Sequence, residues 1–185
     1  MYLVGPYLFS GAELEVWLAR RRAAALDELA GISAEQLGSK GADAVLRELR
    51  GRYGVAHTAL HSDDAFFAGE RELTAEERAS INVSADDTTR YKALSIVIPF
   101  SGDEHLLTCT PSIYSAHQPQ AEVKDGKITV TYFLSEIEEA QLENSFQRLI
   151  ALIDRTLEVT QWQALGHNEK LGEALHGEIA RRLRG

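Results

Sequence analysis

Residues 120–133 read QAEVKDGKITVTYF, and the pair Asp125-Gly126 at their centre leaves little local choice of fold. Asp-Gly supplies the positive φ values of a tight hairpin turn, and strand-forming runs flank it on both sides. Ile128, Val130 and Tyr132 alternate with Thr129, Thr131 and Phe133, so one face is expected in a core and the other partly wet. ALSIVIPF, residues 93–100, reads as a second strand, β-branched and apolar. HLLTCTPS, residues 105–112, alternates loosely and is expected to return from it through a turn at Ser101-Gly102-Asp103. Gly102 permits the bend, and Asp103 can bond to backbone amides just beyond it. Consecutive strands with short links imply an antiparallel meander of about four strands over residues 92–134.

Helical periodicity brackets this sheet. Ser10-Gly-Ala-Glu13 and Ser33-Ala-Glu-Gln36 have the form of capping boxes, as does Ser135-Glu-Ile-Glu138. The first precedes Leu14, Trp17, Leu18, Leu26 and Leu29 and predicts a helix near 11–30, stopped by Gly31. The second leads to a stripe of Ala44, Val45, Leu46 and Leu49, ending about Tyr53. The third opens a long helix with Leu142, Phe146, Leu149, Ile150, Ile153, Leu157 and Trp162 on its apolar stripe, running to about Leu165 before Gly166. About 30 residues span roughly 45 Å, more than a small sheet covers, so one end is expected against the N-terminal helices or a second copy. A last helix near 168–183 carries Leu171, Leu175, Ile179 and Leu183. Residues 55–91 form a variable segment in which Phe66-Phe67, Ile81 and Val83 suggest one or two short strands, with a helical turn near 75–79. The whole reads as one α+β domain over 1–185: N-terminal helices 10–53, variable segment 55–91, sheet 92–134 and a C-terminal helix pair 136–184.

Composition narrows the class of function. The net charge of −9 on 185 residues disfavours direct binding to a phosphate backbone by the surface as a whole. The basic runs Arg20–Arg22 and Arg181, Arg182, Arg184 read as solvated helix faces. No apolar run is long enough to span a membrane, and MYLVGPYLFSGAEL lacks the basic start of a secretory signal. A single cysteine forms no internal disulfide, which fits a cytoplasmic location.

No residue is assigned a catalytic, cofactor-binding or metal-binding role. His57 and His61, with Asp63, have metal-ligand chemistry, but their stretch lacks strong helical periodicity and the H-E-x-x-H glutamate. Glu122-Val-Lys124 matches half of a restriction-nuclease pattern, and Asp103 could supply its upstream acid. That gives the rival reading, a small metal-dependent hydrolase or nuclease using Asp103, Glu122 and Lys124. Ser101, Asp103 and His105 are too close in sequence for an ordinary triad, and no G-x-S-x-G occurs. Cys109 reads as a small core residue, and Trp17 and Trp162 as core packing on helical stripes.

Pro99, Phe100, Gly102, Asp103, Leu106 or Leu107, Pro111, Ser112, Pro119, Ala121, Glu122, Val123 and Tyr132 form a pattern over about residues 94–185. It resembles uncharacterised bacterial modules with P-F-x-G-D, P-S and P-x-A-E-V ahead of a long helix pair. In longer members such modules precede other domains, including restriction-endonuclease-like nucleases. The resemblance implies a non-catalytic sensing, regulatory or assembly module, with catalysis in an appended domain. The expected partner is a protein, or a second copy docked on the long C-terminal helix.

Overall fold

The computed structural model describes residues 1–82, 89–113 and 118–184; Val83 lies outside them. Strand β1 (Tyr2–Val4) precedes helices α1 (Leu14–Ala30), α2 (Ala34–Lys40) and α3 (Ala42–Tyr53). Strands β2 (Ala59–Leu60) and β3 (Phe66–Glu72) follow, then the short helix α4 (Ala75–Ser80). Strand β4 (Tyr91–Ser101), helix α5 (His105–Thr108), strands β5 (Glu122–Lys124) and β6 (Lys127–Ser135), and helix α6 (Leu142–Arg184) complete the α+β chain.

The pairings among the six described strands are all antiparallel. β4 and β6 form the centre, in register from Tyr91↔Ser135 to Pro99↔Lys127. β2 and β3 line the other edge of β4; β1 and β5 lie end to end along the other edge of β6. The expected hairpin is present: Asp125 and Gly126 take φ of 52° and 72° between β5 and β6. Leu94, Ile98, Ile128, Val130, Tyr132 and Leu134 face α6 in the main core. On the opposite face, Ser95 and Thr131 meet hydroxyl to hydroxyl at 3.1 Å, and a small cluster of Leu73, Ile81, Ala93 and Phe133 covers one end. The sheet thus has one dry face and one partly wet face, as its alternation requires.

Helix α6 runs unbroken for 43 residues, about 65 Å of rise. The expected pair of C-terminal helices is therefore one. Gly166 does not break it, because a lone helical glycine costs only about 1 kcal/mol and flanking packing exceeds that. Phe146, Leu149, Ile150, Ile153, Leu157 and Ala164 join the sheet core. Leu171, Leu175 and Ile179 join a second core with Ala25 and Leu29 of α1, Leu37 of α2, and Val45 and Leu49 of α3.

Two other expectations change. HLLTCTPS is not a strand: residues 105–108 form α5. Leu106 and Leu107 are both fully buried in the same core, which adjacent strand residues, pointing to opposite faces, cannot achieve. Ser10–Glu13 is not a capping box either. Ser10 donates to the Tyr7 carbonyl, and the first amide of α1, on Leu14, donates instead to the Thr110 carbonyl at 2.8 Å. The Ser33–Gln36 box forms in full, with both reciprocal bonds. At the third box, Glu138 accepts from the Ser135 amide at 2.8 Å and pairs with the N-terminal ammonium, but the box opens a 3₁₀ turn, Glu136–Gln141, rather than α6 itself.

Continuity of α6 across Gly166 has a direct consequence. A Cβ there would meet no atom within 4 Å. Gly166→Ala should raise stability by about 1 kcal/mol and Gly166→Pro lower it by about 3 kcal/mol, read by urea denaturation.

Candidate functional site

The segment after α3 crosses α6 with its backbone polar groups satisfied by α6 side chains. Asn168 accepts from the Val55 amide at 2.9 Å and donates to the Val55 carbonyl at 3.0 Å. Gln161 donates to the Thr58 carbonyl. His167 bonds the Tyr53 carbonyl through Nε2 at 3.1 Å. Irregular backbone crossing a helix has no ladder partners, so side chains must supply them. The segment is thereby strapped to α6 where the two cores meet.

Trp162 stands beside this strap. It was expected in the core, yet it is 76% exposed, and Leu165 is 53% exposed. The single phase of α6 explains both. Leu157, Thr160, Ala164, His167 and Leu171 carry the buried face, and positions 162 and 165 fall away from it. Trp162 borders two open clefts. One, of about 260 Å³, is lined by Val55, His57, Leu106, Gln161 and Leu165. The other, of about 370 Å³, runs between α1 and α6.

His167 lines that second cleft and is 3% exposed. Its Nε2 hydrogen is spent on a carbonyl, so in the neutral ring Nδ1 is an acceptor, and it has no partner. Burial first, then the charges of Arg22 and Arg21, hold its pKa below the ordinary histidine value, opposed by the bond to the Tyr53 carbonyl. Tyr132 is the other buried orphan among the described residues: its hydroxyl has no partner, and burial pushes its pKa up to about 12.

The residues singled out from sequence are dispersed or committed elsewhere. Asp103 accepts from His105 Nδ1 at 2.8 Å and from the His105 amide at 3.1 Å. The His105 ring stacks on Trp17 at 4.5 Å, and Arg21 lies over the same indole at 4.8 Å. Ser101 does not join them; its hydroxyl meets His61 Nε2 at 3.1 Å. His57 and His61 share no helical face, since His57 precedes β2 and His61 follows it. Glu122 and Lys124 lie on β5, across β6 from the strand that leads to Asp103. Among the described residues no three His, Cys, Asp or Glu side chains gather as a metal site. Cys109 is buried, and burial together with the charge of Asp103 raises its pKa, which disfavours a thiolate nucleophile.

Each basic run places one arginine on a helix end. Arg21 donates to the Arg52, Tyr53 and Gly54 carbonyls at the end of α3. Arg182 donates to the Leu29, Ala30 and Ile32 carbonyls at the end of α1. Both guanidinium groups sit where helix C-termini leave carbonyls unpaired.

Two expectations for measurement arise here. Gly102 has φ of 97°, and a Cβ on it would lie 2.0 Å from the His57 carbonyl oxygen. Gly102→Ala should cost about 3 kcal/mol or more by chemical denaturation, because both strain and a backbone clash oppose it. Since His167 titrates below the ordinary value when folded, stability is full above about pH 6.5 and falls as the pH drops toward the folded value. His167→Gln keeps a donor for the Tyr53 carbonyl and should lose less stability over that window. Glu77 and Glu178, each held down to about 2 by neighbouring arginines, act only at more acid pH. No protein-family model, curated protein or solved structure matches this chain.

Proposed function

We propose that the chain is a non-catalytic sensing, regulatory or assembly module. The observation that carries the reading is the placement of Trp162. A large aromatic side chain is exposed on α6, a helix that runs through both cores, between two open clefts and beside a segment strapped by its side chains. Aromatic side chains are favoured anchors of binding surfaces, where a cleft can receive a partner. An occupant there would bear on the strap and on α6 together. Self-association or docking of a protein partner on α6, and an appended effector domain after it, belong to the same proposal and rest on the resemblance described above. No helix among the described residues is long and apolar enough to cross a membrane.

A second reading has one favourable observation. Asp103 bonds the His105 ring through Nδ1, the carboxylate–imidazole pairing that general bases use. The metal-dependent hydrolase or nuclease would recruit Asp103 together with Glu122 and Lys124. Calorimetric titration with magnesium, manganese and zinc, paired with a nuclease assay on the isolated chain, separates the two. The sensing module gives no metal heat and no cleavage. Magnesium-dependent cleavage lost in Glu122→Ala would overturn it.

A further inference from the structure

The cleft between α1 and α6 holds an unusual set of side chains. Arg22 and Glu15 come from α1; Trp162, Gln163, His167 and Lys170 come from α6. Arg22 and Lys170 have no ion-pair partner among the described residues. In a chain of net charge −9 this is a local excess of positive charge over the single carboxylate of Glu15. The floor is His167, nine-tenths and more buried, with Nδ1 unpaired. A buried polar atom without a partner costs stability, and its retention at a cleft is explained when a ligand completes it. The rim is the exposed indole of Trp162, which offers a face to a planar ring.

We propose that this cleft binds a phosphate monoester carried on a planar ring. Arg22 and Lys170 pair with the phosphate, His167 takes up a proton and donates to it from Nδ1, and the ring covers Trp162. A guanidinium, an ammonium and a protonated imidazole lining one cleft suit a dianion better than a singly charged carboxylate. The proton balance is simple. In the free protein His167 is neutral, with its hydrogen on Nε2 toward the Tyr53 carbonyl. A dianion against Nδ1 favours the imidazolium, so one proton enters from solvent on binding. The groups facing His167 are accounted for: Arg21, Arg22 and Glu15 on α1, the Tyr53 carbonyl at the end of α3, and Lys170 on its own helix. The two arginines oppose protonation in the free state, and the phosphate neutralises that opposition.

The proposal rests on the sensing reading and gives it a ligand class. Metal-dependent cleavage would overturn the sensing reading whatever the cleft binds, whereas a cleft that fails to bind leaves that reading standing. The test is calorimetry on the whole chain with phenyl phosphate, with inorganic phosphate and benzoate for comparison. At about pH 7.5 phenyl phosphate is a dianion, so the dependence of binding heat on buffer ionisation should report uptake of a proton by the protein. Phenyl phosphate should bind more tightly than either comparison ligand. Arg22→Ala and Lys170→Ala should each weaken it by about tenfold or more, as loss of a charge-assisted bond does. His167→Gln, which keeps the bond to the Tyr53 carbonyl, should abolish the proton uptake. The exposed Lys170 can be replaced without touching a core, so loss of folding cannot mask the result. No binding by about 10 mM, equal affinity for benzoate, or undiminished affinity in Lys170→Ala would overturn the proposal.

Discussion

The apolar stripe of α6 is the constraint on which the other elements depend. Its first half closes the dry face of the sheet through Phe146, Leu149, Ile150, Ile153 and Leu157. Its second half supplies the fourth wall for α1, α2 and α3 through Leu171, Leu175 and Ile179. α2 and α4 are too short to be stable alone, and β1, β2 and β5 are two or three residues long. Their stability comes from packing, and α6 organises both cores. A truncated Leu or Ile on this stripe would remove about 2–5 kcal/mol, a large share of the 5–15 kcal/mol that holds an ordinary domain together.

Running α6 through two cores leaves a junction to manage. Between Ala164 and Leu171 the stripe carries His167 and Asn168 instead of aliphatic residues. Their side chains bond a backbone segment that has neither helix nor sheet to satisfy it. Arg21 and Arg182 do the same for the free carbonyls of α3 and α1. The polar residues at the junction are thus committed to backbone, and Nδ1 of His167 and the unpaired Arg22 stand out against that commitment.

The fold was legible where the pattern is local and strong. Asp125-Gly126, the two-residue alternation after it and the Ser33–Gln36 box each contain their own geometry. Errors arose where tertiary partners decide. β1 carries only three residues, Tyr2–Val4, too few to show alternation, and it exists because an edge of β6 was open to it. Leu106 and Leu107 read as strand by composition but are turned into a helix by the Asp103 carboxylate and by a core that receives both. Gly166 resembled a stop, because a glycine's cost in a helix is visible in sequence and the compensating packing is not. The site was less legible still. Trp162 counts as core if the stripe is followed loosely from Leu157, and as surface once the helix is known to continue in phase through His167 to Leu171. A longer periodicity window across Gly166 holds that signal. Nothing in the sequence indicates which histidine nitrogen lacks a partner.

The two buried orphans among the described residues separate structure from function. Tyr132 and His167 each carry an unpaired polar atom, and each carries a similar cost. Tyr132 lies on the inner face of β6 under α6 and borders neither cleft beside Trp162. Its ring fills the core, and phenylalanine would serve the same packing without the unpaired hydroxyl. His167 cannot be simplified in that way, because its Nε2 hydrogen holds the strap. A glutamine or an asparagine could make that bond without an imidazole. What the imidazole adds is a second nitrogen, able to gain a proton once an anion offsets its burial and the nearby arginines, in a cleft that also holds two cations. That capacity has no use in the strap, and it is the capacity an anion entering the cleft would need.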